Sequence, residues 1–275
     1  MYTIIGLGHA GCNIAEMFET DPEYKVKLID TDIEGENCFS LEVQKTPEEY
    51  EKNVPDLSNF FQDTTEKIVM IIGGSGKISG ASLQILKQLK EKEISILYIR
   101  PDIELLSSAA KLQERVTFNV LQEYARSGIF KNIFIVNNSI IENIVGDISI
   151  MEYYETLNKV IYNSFGGFLK FAAQIPIIDN SVQPKEISRI ATLGVYDLET
   201  NNEKLFYPFE LIDDKCYFFA IKENDLKTNG KLFKIIKDRM KEKTLDSVKI
   251  SYRIHSTAHE QNYCYVVAYS RKIQQ

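Results

Sequence analysis

No stretch of this sequence approaches the roughly 20 consecutive apolar residues that a membrane-spanning helix needs. The opening MYTIIGLG also has neither the charged start nor the long apolar run of an export signal. The expectation is a cytoplasmic protein with no membrane partner. Cysteine is scarce too: Cys12, Cys38, Cys216 and Cys264 stand far apart, without the C-x-x-C spacing of metal sites or the density of a disulfide scaffold. They read as reduced thiols, and no protein metal site is expected. Positive charge is in deficit, with 32 Lys and Arg against 39 Asp and Glu and a formal charge of −7. Counterion release from nucleic acid needs clustered basic residues, which are not patterned here, so no nucleic acid partner is expected. What the chain does have is 44% apolar and 26% charged residues over 275 positions, enough for a globular core in one large or two small domains.

From Tyr2 to about Ile148, apolar strands alternate with helical patterns: YTIIGL, a helix from Ala10, KVKLID, IVMIIG, a helix from Gly80, ISILYIR, a helix from Glu104 to Arg126, and NIFIVN. That alternation specifies an α/β fold, a Rossmann-like parallel sheet with helices on both faces. The region from Glu34 to Thr65 is polar and weakly periodic and reads as an irregular connection with short helices. A long central helix from Ile150 to about Ala172 is marked by Met151, Tyr154, Leu157, Val160, Ile161, Phe165, Phe168 and Leu169 at helical spacing. Strand signals follow at 190–197, 215–222, 246–254 and 263–270, with an amphipathic helix from Lys231 to Lys243. The division expected is a nucleotide-binding domain over 1–148, a connecting helix over 149–173 and a smaller C-terminal α+β domain over 174–275. His255 and His259 fall between two strand patterns and read as a hairpin loop, not a metal pair.

Two glycine-rich loops carry the chemistry. The first, Gly6-Leu-Gly8-His9-Ala10-Gly11, follows a strand and opens a helix, with Asp30 ending the next strand. Glycines there let backbone N–H groups approach phosphate where the helix dipole favours negative charge. Alone, this loop fits an NAD-dependent Rossmann enzyme equally well, with Asp30 on a ribose hydroxyl. The second loop, Gly73-Gly74-Ser75-Gly76-Lys77-Ile78-Ser79-Gly80, again sits between strand and helix. It is not a Walker A loop, because Ile71 stands five before Gly76 and Ile78, not Ser or Thr, follows Lys77. Two such loops on neighbouring elements are unusual for an NAD enzyme.

Taken together, residues 6–13, the strand end Ile29-Asp30-Thr31-Asp32, the second glycine loop, Val136-Asn137-Asn138 and Tyr154-x-x-x-Asn158 resemble, in order and spacing, the nucleotide site of the tubulin/FtsZ family. The compact, Lys- and Ile-rich chain is more similar to divergent phage- or plasmid-type members than to cellular division proteins. The resemblance implies GTP or GDP as ligand, with Mg2+ accompanying the triphosphate. It places phosphate and ribose contacts at Gly8, His9, Ala10, Gly11, Cys12, Asn13, Asp30, Asp32, Gly74, Ser75, Gly76, Lys77, Ser79 and Gly80. It assigns Asn137 and Asn158 to the guanine edge and Tyr154 to stacking on the base. An Asn amide offers donor and acceptor together, and residues four apart share a helix face, so the assignment is chemically coherent. Core packing is the competing reading of Tyr154.

The family also implies head-to-tail association of the chain with itself, as dimers, oligomers or filaments, and GTP hydrolysis at the subunit interface. Departures bear on the second point. Ser75, Lys77 and Ile78 replace a glycine, a threonine and a glycine of the family's GGGTGTG or GGGTGSG loop. In the acidic loop after the central helix, Asp179 matches the first acid but Val182 stands in place of the second. A carboxylate is what would orient the attacking water, so hydrolysis is expected to be slow, differently organised or absent. Capping of a short helix before Ile190, or a turn beside Asn180, is the competing reading of Asp179. A non-polymerising, hydrolysis-deficient scaffold of the same fold is the alternative function.

Overall fold

The computed structural model describes residues 1–244 and 247–275. Two compact units emerge: one of Met1–Tyr162 together with Ile273–Gln275, the other of Asn163–Lys272.

The first unit is built on six parallel strands: β1 (Tyr2–Leu7), β2 (Tyr24–Asp30), β3 (Cys38–Ser40), β4 (Lys67–Gly73), β5 (Glu93–Arg100) and β6 (Asn132–Asn137). Their order is β3-β2-β1-β4-β5-β6. Ile4, Ile5, Val69, Met70, Ile71, Ile96, Leu97, Ile133 and Ile135 are all at or below 5% exposure, which is what near-continuous apolar strands require when both sheet faces are covered. The cover comes from α1 (Gly8–Glu16), α2 (Pro47–Lys52), α3 (Ser82–Gln88), α4 (Ser108–Arg126) and α5 (Asn138–Val145). Local chemistry sets their starts. Thr46 caps α2 by accepting from the Glu49 amide at 3.2 Å, Pro47 presets its first turn, and Ser107 caps α4 through the Ala110 amide at 3.3 Å.

Two features of this unit differ from the sequence reading. The polar connection after β2 contains the edge strand β3, whose three residues are too few to show a period. The helix expected from Glu104 begins at Ser108, because Asp102 first closes a short 3-10 turn over Ile103–Leu105.

The long helix α6 runs from Tyr153 to Ala173 after a 3-10 turn at Ile150–Glu152, and the boundary between the units falls inside it. The second unit then contains β7 (Ile178–Asp179), β8 (Ile190–Asp197), β9 (Asn202–Leu205), β10 (Asp214–Lys222), α7 (Glu223–Thr228), α8 (Leu232–Lys243), β11 (Lys249–Thr257) and β12 (Tyr263–Ser270). The strands run β8-β12-β10-β11-β7, with β9 on β8, and only β10 and β11 are parallel. Ile236 and Met240 of α8 join Tyr196, Tyr217, Phe219, Tyr252 and Val266 in one core. Phe168 of α6 meets Phe218 edge-on and Phe171 stacks on His255.

The hairpin expected around His255 is not formed. β10 lies between β11 and β12, so the link from Thr257 to Tyr263 is a crossover, and His255 sits inside β11 at 2% exposure. Alternation read from sequence finds strands but not their neighbours, and two adjacent strand patterns default to a hairpin.

Burial, assisted by Arg253 and opposed by Asp179, pulls the His255 pKa down to about 4. The unfolded chain therefore takes up this proton more readily than the folded one, so the contribution of His255 is complete above about pH 6.5 and is lost as pH falls towards 4. Urea unfolding across this range is expected to show stability rising with pH in the wild type. His255→Phe should flatten that slope; an unchanged slope would place the titration elsewhere.

Candidate functional site

In an open parallel sheet, ligands bind beyond the carboxyl ends of the strands where the strand order reverses. Here the reversal lies between β1 and β4, and the two glycine loops leave the carboxyl ends of those two strands.

The first loop is tight because backbone lies on backbone. A Cβ at Gly11 would stand 2.4 Å from the Ile71 carbonyl of β4, so α1 seats directly on the sheet. Gly8 has φ +68°, a left-handed conformation that costs any other residue about 1–2 kcal/mol. A Cβ there would also lie 2.5 Å from Cγ2 of Ile78. The two loops therefore touch, with Ile78 of the second lying over Gly8 of the first.

α1 has no side-chain cap and no acid in its first turn, so the amides of that turn and the positive end of the helix stay open to an anion. His9 and Ala10 are exposed, and Asn13 meets His9 at 3.3 Å. Cys12 takes no such part. Its thiol is buried against the carbonyls of Gly6 and Ile29, and burial pushes its pKa up to about 12, so it is a packing residue. Spacing alone does not show which way a side chain turns on a short helix.

In the second loop the Gly74 amide donates to Ile99 O at 3.0 Å and the Ser79 amide to Gly76 O at 3.0 Å. Among the described residues, the intervening amides of Ser75, Gly76 and Lys77 donate to no protein acceptor. Three successive N–H groups just beyond β4 are thus left to find an acceptor outside the protein. Lys77 is exposed with no ion-pair partner among the described residues, while Ser79 is buried and takes a hydrogen bond from Gln113 of α4 at 3.4 Å. Gly80 lies against the Pro47 carbonyl at the start of α2.

Asp30 accepts the Thr31 amide at 2.8 Å, and Asp32 is exposed. Asn137 caps α5: its Oδ1 accepts from the amides of Ser139 and Ile140 and from the Ser139 hydroxyl, which leaves Nδ2 to serve as donor. Next to it, Asn138 Oδ1 is buried without a protein partner. Tyr154 is 69% exposed and so is not a core residue; its ring meets Tyr153 edge-on, and Tyr153 donates to Glu142 of α5 at 2.7 Å. The side chain of Asn158, half-buried one turn later, hydrogen-bonds no protein group among the described residues.

Asp179 belongs to the second unit, where it ends β7 and closes a turn onto the Ser181 amide and hydroxyl, at 2.8 and 2.5 Å. Arg253 donates to Ser181 Oγ at 2.9 Å and stands 3.4 Å from Asp179 Oδ1. Burial works to raise the Asp179 pKa, but the Ser181 hydrogen bonds and the Arg253 charge outweigh it, so the carboxyl is held below its usual range. The Ser181 contact is that of a turn at Asp179, whereas Arg253, distant in sequence but on the neighbouring strand β11, was not legible as a partner. Val182 is exposed.

No family model matches the chain, and no curated protein matches it in sequence. Solved structures do match. FtsZ from M. jannaschii, solved as an empty dimer, superposes with a TM-score of 0.72 at 12% identity over 98% of this chain and 88% of that one. The GTPγS-form protofilament of TubZ from Bacillus thuringiensis serovar israelensis superposes with a TM-score of 0.70 at 16% identity over 98% of this chain and 86% of that one. Its GDP-form protofilaments give 0.69 at 15% identity.

The contact between the loops makes a testable claim. Gly8→Ala should destabilise by about 2–3 kcal/mol, combining the left-handed cost with the collision against Ile78. A double-mutant cycle with Ile78→Ala, read by urea unfolding, should return a coupling energy of about 1 kcal/mol or more. Coupling near zero would mean that Ile78 yields freely. The order of elements, the parallel sheet and the extent of the superpositions give this chain the tubulin/FtsZ fold.

Proposed function

We propose that the chain binds GTP or GDP where the two glycine loops meet and that it associates head to tail with copies of itself. The observation that carries the reading is the convergence of the open amides of Ser75, Gly76 and Lys77 with the uncapped start of α1 at the strand-order reversal. In this reading the loop amides and Lys77 neutralise the phosphates and Asp30 takes a ribose hydroxyl. The Asn137 Nδ2 and the Asn158 amide read the base, and exposed Tyr154 supplies the stacking surface. Among the described residues no group of three or more His, Cys, Asp or Glu gathers to hold a metal, so Mg2+ would arrive on the triphosphate.

Self-association is supported by the assemblies in which the structural neighbours were solved, an FtsZ dimer and TubZ protofilaments. A head-to-tail contact of this kind propagates unless it closes. Hydrolysis would be slow, because Asp179 is ionised but tied to Ser181 and Arg253, and Val182 adds no second carboxylate.

Calorimetric titration of the nucleotide-stripped protein with GTP, GDP, ATP and NAD tests the reading. Micromolar binding confined to the guanine nucleotides is expected. Asn158→Ala should lose the preference for GTP over ATP while keeping the fold by circular dichroism. Binding of NAD alone would overturn the proposal, and an Asn158→Ala variant that still discriminates would move base recognition elsewhere.

A further inference from the structure

Helix α4 buries an unusual face. Glu114, Phe118 and Gln122, spaced four apart, share that face and are each at or below 1% exposure, although two of the three are polar. Buried polar groups need partners, and a buried charge needs them most. For Gln122 the partner comes from residues 273–275, and for Glu114 from β5. Gln122 Nε2 donates to Gln274 O at 3.1 Å, and Gln122 Oε1 accepts the Gln274 amide at 2.8 Å, so both ends of one side-chain amide are matched to one backbone unit. Glu114 is paired with Arg100 Nε at 3.0 Å. Arg100 in turn lies 4.4 Å from the Phe118 ring and donates through Nη1 to Gln275 O at 2.6 Å.

The same cluster is the seat of the second glycine loop. A Cβ at Gly74 would stand 2.3 Å from Tyr98 Oη and 3.2 Å from Glu114 Cγ. Gly74 is thus pressed onto Tyr98 and Glu114, one residue before the open amides of Ser75–Lys77. On its other edge, Arg100 is the register partner of Asn137 across β5 and β6. A chain of contacts therefore runs from Gln274 and Gln275 through Gln122, Arg100 and Glu114 to Gly74.

We propose that residues 273–275 are a positioning element for the second glycine loop, so that docking of this segment and binding of nucleotide phosphate at Ser75–Lys77 favour one another. The inference rests on the nucleotide reading above. Undocking the segment removes one acceptor from Arg100 and, from Gln122, the two hydrogen bonds to Gln274. Arg100 is then held less firmly, Glu114 moves with it, and the support under Gly74 shifts. By linkage the effect is reciprocal: whatever factor the segment adds to nucleotide affinity, the nucleotide adds to docking of the segment.

The test compares wild type, a variant lacking residues 273–275, and Gln122→Met, which releases Gln274 from a point two turns beyond Glu114 and leaves the segment in place. GDP affinity is read by calorimetry, and exchange of the Gln274 amide by hydrogen exchange with and without GDP. The expected result is about tenfold weaker GDP binding in both variants, within the usual range of coupling between sites. In the wild type, GDP should slow Gln274 exchange through its local opening, measured where exchange is faster than global unfolding, by a comparable factor, a response that a segment opening independently of the loop would not show. Unchanged GDP affinity in Gln122→Met, or Gln274 exchange indifferent to GDP, would overturn the proposal even if truncation alone impaired folding. Wild type that binds no guanine nucleotide would instead remove the functional reading, and this inference with it.

Discussion

The N-terminal unit depends on one close approach, the seating of α1 directly on the backbone of β1 and β4. Gly6 and Gly11 make it: a Cβ at either would collide with backbone, that of Cys12 and Gly11 in one case and the Ile71 carbonyl in the other. Because α1 lies so low, its first turn reaches the carboxyl end of β4, and Ile78 can close over Gly8. Without that approach the two loops would be separate turns on adjacent strands. With it, the second loop lies against the uncapped start of α1, the positive end of a helix dipole.

Much of this was legible in the sequence for a physical reason. Strands such as IVMIIG and NIFIVN are apolar throughout because both sheet faces are covered, and glycine loops that follow such strands mark the ligand end of the sheet. Other parts were not legible. β3 has three residues and β7 two, too few for any period to show. The wrong neighbour for His255 arose because pairing is a property of the sheet and not of a strand. The orientation of Cys12, the capping of α5 by Asn137 and the approach of Arg253 to Asp179 all depend on groups that meet only after folding.

Charge is handled differently in the two units. Around Gly74 a carboxylate and a guanidinium are buried together, and desolvation pushes the Glu114 pKa up while Arg100 holds it back. Around Asp179 the carboxylate is partly exposed and is kept ionised by hydroxyl, amide and arginine. The first arrangement is suited to holding backbone in place, because breaking a buried pair is costly. The second leaves one carboxylate oxygen open towards solvent, available to a ligand from outside the chain.

The composition of the first unit has a consequence for how the protein is made. Its polypeptide is complete at Tyr162 except for Ile273–Gln275, which follow the whole of the second unit. At about 5–20 residues per second, Gln122 would be synthesised roughly 8–30 seconds before its partner Gln274. Until then the Gln122 side-chain amide lacks the two hydrogen bonds it makes with Gln274. The N-terminal sheet can form early during synthesis, but the contacts that Gln122 and Arg100 make with residues 273–275 form only after the second unit has been synthesised.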